Sequence, residues 1–417
     1  MKKKIIILIV LFILCGCSFY DEYEMPKEVT LKTINSKFEV YSKPKISDLI
    51  EEKNVKIINE DTVLNTDKTG KKKTTIEYEY DDRTYKYDVE YNVEDTTSPT
   101  ILYTENYNYA YVGDTSIENT DLCESAVFID NYDRKVSCKV EGTYDINTPG
   151  SYDLKYIISD KDNNVIEDSI TFEVIDPETI EEDDEDEEEI IEGEQVEIEE
   201  TDSRIQFSDI INNYKNKNNM IGIDVSRWQG DIDFEKVKKA GAEFVIMRMA
   251  VSNGPNDEIG LDSKFKQNLK NAKKAGLKIG VYVYTSPATV KEVKKQAEFI
   301  VKELDGTKLD FPIAYDFENW EDVRKLKLNI HDLTNMMDEF YKIVNKEGYE
   351  VMLYSSKYYL EKIWGTVDYP VWLAHYIDQT NYQGDYVMWQ MTSDGRIDGI
   401  DGSVDIDIYY KKEKREN

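Results

Sequence analysis

Histidine and cysteine, the residues that most often make hydrolytic metal or thiol sites, are scarce: the 417-residue chain has two His and four Cys. His331 and His375 are too few for a zinc amidase site with its supporting groups. No cysteine lies beyond Cys138, so the C-terminal half has no thiol for a Cys-His peptidase. Basic charge is also short. The 52 Lys and Arg against 85 Asp and Glu give a formal net charge of −33, which repels phosphate backbones and excludes nucleic-acid binding. Long apolar runs are missing too, because the stretch Ile5 to Leu14 is too short to span a bilayer comfortably. Neither a metal nor an organic cofactor is expected.

What is present begins with an export signal: Lys2, Lys3 and Lys4, then the apolar run, then Gly16 before Cys17. Leu14-Cys15-Gly16-Cys17 resembles the lipobox of bacterial lipoproteins. The resemblance implies a signal peptide over 1–16, cleavage before Cys17 and lipidation of its thiol. Several acyl chains on one residue hold a protein at a membrane, where a single chain binds marginally. The expected location is the extracellular face of a bacterial cell membrane, with a lipid anchor. Cys123 and Cys138 then remain as the one even pair in an oxidising compartment, and a disulfide is expected.

After a tether over 17–27, residues 28–95 and 96–177 alternate polar with β-branched or aromatic side chains, as in Thr74-Thr75-Ile76-Glu77-Tyr78-Glu79-Tyr80, the period of half-buried strands. Leu64-Asn65-Thr66 and Gly70, followed by strands ending Val93-Glu94-Asp95, recur as Ile146-Asn147-Thr148-Pro149-Gly150 and strands ending Val174-Ile175-Asp176. Two all-β modules of one kind are therefore expected. Short strands at this spacing suit immunoglobulin-like sandwiches, and the second module resembles bacterial Ig-like repeats of surface proteins, which implies a surface for a cell-surface protein partner. Two motifs take bland readings. Ser42-Lys43-Pro44-Lys45 fits S-x-x-K, but Pro44 in a strand-like segment argues against an acylase. Asp160-Lys161-Asp162-Asn163-Asn164 opens like a calcium loop but lacks Gly at the sixth place and Glu at the twelfth, so a hairpin turn is expected.

Residues 178–204 are dominated by Glu and Asp with scattered Ile, a composition that extends by self-repulsion and serves as a linker; an acidic helix is the rival reading. From 205 to 417 short apolar strands alternate with amphipathic helices. Strands are read at Ile221–Val225, Phe244–Met249, Ile279–Tyr284, Pro312–Phe317, Val351–Tyr354, Val371–Ala374, Tyr386–Met391 and Val404–Ile408. Helices are read at Asp233–Ala240, Ser263–Ala275, Thr289–Leu304 and Leu333–Lys346. Repeated βα units imply a mostly parallel sheet. The last strands lack long helices between them, so the fold class is multidomain: two all-β Ig-like modules and an α/β incomplete TIM-like (β/α) barrel.

Working residues of such a barrel stand at the C-terminal ends of its strands. Those ends carry Asp224, Tyr282, Tyr284, Asp316, Glu318, Trp372, Tyr376, Trp389, Gln390 and Asp405. Aromatic faces stack on sugar rings and carboxylates bond hydroxyls, an inventory that suits a saccharide cleft. Asp316-Phe317-Glu318 is central, since residues i and i+2 of a strand share a face, about 6–7 Å apart along the chain. Two carboxyls so close should leave one as proton donor beside an ionised partner, as glycosidic cleavage requires. Tyr282 and Trp389 also fit core positions, and Asp224 fits a turn or cap.

Six blocks occur in order: Gly222-Ile223-Asp224-Val225-Ser226-Arg227-Trp228-Gln229-Gly230-Asp231-Ile232-Asp233, Phe244-Val245-Ile246-Met247-Arg248, Tyr315-Asp316-Phe317-Glu318, Trp372-Leu373-Ala374, Met388-Trp389-Gln390 and Gly402-Ser403-Val404-Asp405-Ile406-Asp407. Together they resemble glycoside hydrolase family 25, the lysozymes of the Chalaropsis and phage type. The resemblance implies a peptidoglycan hydrolase acting on the β-1,4 bond between N-acetylmuramic acid and N-acetylglucosamine. It makes Glu318 the general acid, Asp316 its partner, and Asp224 and Asp405 further catalytic carboxylates. The strand-end reading adds Tyr282, Tyr284, Trp372, Tyr376, Trp389 and Gln390 as substrate contacts. The third strand reads Tyr282-Val283-Tyr284 where an aromatic-His pair is frequent, and Asp407 stands where Asn is frequent. A non-catalytic wall-binding or adhesive lipoprotein is the alternative from another class. A related N-acetylhexosaminidase-type barrel is the intermediate one. A pure binder has no need of four carboxylates together.

Overall fold

The computed structural model describes residues 26–411 apart from 28, 53–54, 104–107, 115–121, 178–203, 256, 318–319, 321 and 366. Cys17 and the acidic segment 178–203 therefore lie outside the described residues, as does Glu318. The chain divides into two compact units, up to Thr96 and from Thr97 onward.

The first unit contains β1 (Leu31–Thr33), β2 (Lys37–Glu39), α1 (Ile46–Leu49), β3 (Ile50–Glu52), β4 (Lys56–Ile57), β5 (Gly70–Tyr80) and β6 (Arg83–Glu94). β2, β6, β5 and β4 form one sheet in that order, and β1 pairs with β3 in another. The β5–β6 hairpin turns at Asp81 and Asp82, both at positive φ (47° and 57°), the requirement of a two-residue turn that follows the strands' twist. Ile76 and Tyr78 of β5 are fully buried while their neighbours alternate outward.

The second unit opens with β7 (Thr100–Tyr103), β8 (Tyr109–Tyr111), a short turn at Leu122–Ser125, β9 (Ala126–Ile129), β10 (Ser137–Glu141), β11 (Gly150–Ser159) and β12 (Val165–Ile175). Its sheets run β8-β12-β11-β10 and β7-β9. This repeats the first unit's plan strand for strand, down to a parallel pairing of the second strand with the last and a positive-φ glycine, Gly70 or Gly150, opening the long hairpin. Cys123 and Cys138 are joined by a disulfide with their Cα atoms 6.0 Å apart.

The C-terminal part contains β13 (Ile205–Gln206), α2 (Phe207–Tyr214), β14 (Asn219–Val225), α3 (Phe234–Lys239), β15 (Phe244–Val251), β16 (Gly260–Leu261), α4 (Phe265–Lys274), β17 (Lys278–Thr285), α5 (Val290–Leu304), β18 (Ile313–Phe317), α6 (Asp322–Leu326), α7 (Ile330–Lys346), β19 (Val351–Ser356), β20 (Val371–Ala374), β21 (Met388–Arg396) and β22 (Val404–Tyr410). Side-chain caps start the helices where the sequence supplies them: Asp233, Thr289 and Asn329 each accept a backbone N–H of the first turn. β14, β15, β17, β18, β19, β20 and β21 pair in parallel succession. β22 runs antiparallel to both β21 and β14 and so closes the sheet on itself.

Alternation along each strand divides the sheet into two faces. Ile223, Val245, Val283, Tyr315, Leu353, Leu373, Trp389 and Ile406 point outward and are buried with Val293, Ala297, Ile300, Phe340 and Val344 of the helices. Each such aliphatic side chain contributes roughly 1.5–3 kcal/mol by leaving water. Inside the ring, the end opposite the carboxylates is filled by Phe244, Ile246, Phe311, Ala314, Met352 and Met388. Glycine is needed there: a Cβ on Gly222 would lie 2.5 Å from the Phe244 ring, and one on Gly280 would lie 2.3 Å from Ile246.

Leu102, Val127 and Ile129 of the second β module belong to the same buried cluster as the helices. Polar contacts reinforce this junction. Ile330 N–H donates to the Asp130 carbonyl at 2.8 Å, Asn329 Nδ2 to the Tyr132 carbonyl at 2.6 Å, and Arg324 Nη1 to the Cys123 carbonyl at 2.8 Å. Arg134 and Asp332 form an ion pair at 2.6 Å.

Candidate active site

Asp224, Asp316 and Asp405 sit at the C-terminal ends of β14 and β18 and near the start of antiparallel β22, which puts all three at one end of the ring. Register explains the meeting. Asp224 faces Asp405 across the β14–β22 ladder, while Tyr284 faces Asp316 and Asp316 faces Tyr354 across the next pairs of the wall. The three carboxylates line one cavity of about 240 Å³ together with Arg248, Tyr282, Tyr284, Tyr354, Trp372, Tyr376 and Gln390. A larger cavity of about 450 Å³ lies elsewhere, around Asp231, Phe234 and Lys274, and holds none of these strand-end carboxylates.

Gln390 organises one side of the cavity. Its Oε1 accepts the hydroxyls of Tyr354 at 2.8 Å and Tyr376 at 3.0 Å. With the carbonyl end so occupied, the amide Nε2 is turned to donate to Asp224 Oδ2 at 2.7 Å. Trp372 forms the neighbouring wall, edge-on to Tyr354 at 4.7 Å and to Tyr282 at 6.1 Å. Its Nε1 donates to Asp407 Oδ1 at 2.9 Å. Asp407 is wholly buried, and desolvation first, then the charge of Asp405, pushes its carboxyl well above the ordinary range, against the pull of hydrogen bonds with Trp372 and Asp224.

The Tyr282 phenol is held neutral in the same way: burial raises it most, and the nearby charges of Asp224, Asp316 and Asp405 add to this against Arg248. A neutral phenol among carboxylates can donate a hydrogen bond to a bound oxygen. Arg248 is itself buried, and its Nε donates to Asp262 Oδ2 at 2.8 Å, an ion pair that neutralises it. The result is an acid-rich pocket with aromatic walls and, at its mouth, Tyr376, which is 57% exposed. Such a pocket can grip a sugar ring.

Of the residues expected at a cleft, Asp224, Asp316, Asp405, Tyr282, Tyr284, Trp372, Tyr376 and Gln390 come together. Trp389 does not. It lies on the outer face, buried beside Tyr214, and donates Nε1 to the His375 carbonyl at 2.8 Å. Its neighbour Gln390 points inward, and adjacent residues of a strand cannot share a face. Glu318 lies outside the described residues. Arg248, Tyr354 and Asp407 were not anticipated at the site. Arg248 is the one charge on the apolar strand β15, and Asp407 lies two residues beyond Asp405 on the same face of β22, which are the signals that could have found them.

Residues 223–400 match the model of Glycosyl hydrolases family 25. Protein YegX of Escherichia coli O157:H7 is 31% identical over 198 residues, covering 46% of this chain and 70% of that protein. An autolytic lysozyme of Clostridium acetobutylicum is 31% identical over 196 residues, covering 46% of this chain and 56% of that protein. Lysozyme M1 of Streptomyces globisporus is 26% identical over 198 residues, covering 44% of this chain and 65% of that protein.

Proposed function

This chain belongs to glycosyl hydrolase family 25 and is a glycoside hydrolase, and from that premise we propose that it cleaves peptidoglycan at the β-1,4 bond between N-acetylmuramic acid and N-acetylglucosamine. The observation that carries this reading is the convergence of Asp224, Asp316 and Asp405 on one aromatic-walled cavity. Glu318 is the proton donor to the leaving oxygen, a role resting on its place two residues beyond Asp316 and on the family resemblance. Asp316, too near to stand across the sugar as a direct nucleophile, orients and stabilises the substrate's own 2-acetamido oxygen as it attacks. The configuration at the anomeric carbon is then retained. Tyr282, Tyr284, Trp372 and Tyr376 contact the glycan.

Around this enzyme we read a TIM-like barrel with its last helices omitted, two Ig-like modules as a stalk, and a lipidated Cys17 holding the protein on the outer face of the membrane. No helix among the described residues is long and apolar enough to cross a membrane. The test is product analysis on purified peptidoglycan. New reducing ends should be N-acetylmuramic acid, and proton NMR of the first-formed product should show the β anomer. N-acetylglucosamine ends would refute the bond assignment, and an inverted anomer would exclude the acetamido route.

A further inference from the structure

We propose that two loops of the second β module, Asp130–Asp133 after β9 and Asp160–Asn164 after β11, bind one hard divalent cation of the calcium class. Asp130 and Asp160 are 1% and 7% exposed, and their carboxylate oxygens approach within 4.8 Å. Two oxygens bound to one calcium ion stand no farther apart than about twice the Ca–O bond of roughly 2.3–2.6 Å, so this separation lets one ion reach both.

The decisive feature is an unused oxygen. Asp130 Oδ1 accepts the backbone N–H groups of Tyr132 at 2.9 Å and Asp133 at 2.6 Å. Among the described residues, buried Asp130 Oδ2 has no hydrogen-bond partner. A buried anionic oxygen without a partner is costly, and a bound cation removes that cost. Asp160 takes Asn164 N–H at 2.8 Å and Asn164 Nδ2 at 2.7 Å, which leaves a lone pair on each oxygen.

Neighbouring cations are committed elsewhere. Lys161 pairs with Asp133, Arg134 with Asp332, and Arg324 with the Cys123 carbonyl. Among the described residues neither Asp130 nor Asp160 has an ion-paired Lys or Arg. The donors are oxygen alone, with no thiol or imidazole, which selects a hard ion over zinc or copper. The sequence did not reveal the site because its donors come from two loops rather than one continuous calcium loop.

The first loop also holds the ring: the Asp130 carbonyl accepts from Ile330 N–H and the Tyr132 carbonyl from Asn329. Cation binding therefore steadies the junction between the module and α7. The test is calorimetric titration of the chelator-treated full chain with Ca²⁺, then Mg²⁺, alongside thermal unfolding. One saturable site is expected, tighter for Ca²⁺, with a rise in Tm. Asp130→Asn and Asp160→Asn should each weaken binding at least tenfold, while Asp162→Asn on the same loop should not. Absence of saturable binding of either ion to the wild-type chain would overturn the proposal, whatever the variants do. So would a saturable site that keeps its affinity in both Asn variants, since it would lie elsewhere on this acidic protein.

Discussion

The inner and outer faces of the closed sheet come from the same eight strands and carry opposite chemistry. Outward residues such as Ile223, Tyr315 and Ile406 are buried against helices and secure the fold. Inward residues one step along, Asp224, Asp316 and Asp405, bring carboxyls together at the strand ends, an arrangement that costs stability and serves a ligand. One-residue alternation thus separates what holds the protein up from what it does. Substitutions on the two faces should fail in different ways.

On the inner face, Asp316→Asn should lower turnover on purified peptidoglycan by about 10²–10⁴-fold while sedimentation with the insoluble wall is unchanged. Loss of binding with intact turnover of soluble fragments would assign Asp316 to substrate capture instead. On the outer face, Phe340→Ala removes a fully buried ring that packs 5.0 Å from Tyr315. It should cost about 3–5 kcal/mol in denaturant unfolding and leave turnover near wild type well below the lowered Tm. A turnover loss as large as that of Asp316→Asn under those conditions would erase the distinction between the faces.

The smallest expected effect is at Asp407, where the faces' demands conflict. Burial raises its carboxyl, so the fold holds the proton that the unfolded chain releases above about pH 4. Its contribution to stability is full in acid and is lost as pH rises through the folded value. Asp407→Asn should flatten this decline, seen as a Tm gap between variant and wild type that widens with pH. Parallel Tm curves would mean that Asp407 is ionised in the fold.

The sequence was legible where strands are apolar and end in a charge. Val371–Ala374 was read with the boundaries observed, and the other seven ring strands were found with their ends displaced by a few residues. The α7 helix was read from Leu333, three residues late, because the Asn329 cap and its partner Asp332 precede the apolar stripe. Facing within a strand was less legible. Trp389 and Gln390 are adjacent and both suit a sugar cleft, and only packing against Tyr214 decides which turns inward. Two long-range pairings were not legible. The Arg248–Asp262 ion pair and the seating of α7 on the Asp130 loop join residues with no shared period.

The central claim is that acid catalysis at the strand-end cluster cleaves glycan strands, and Glu318→Gln tests it most directly by keeping the side chain's shape while removing its proton. Release of reducing ends from purified peptidoglycan should fall at least about 10²-fold, with Tm unchanged. Release at the wild-type rate would contradict the account.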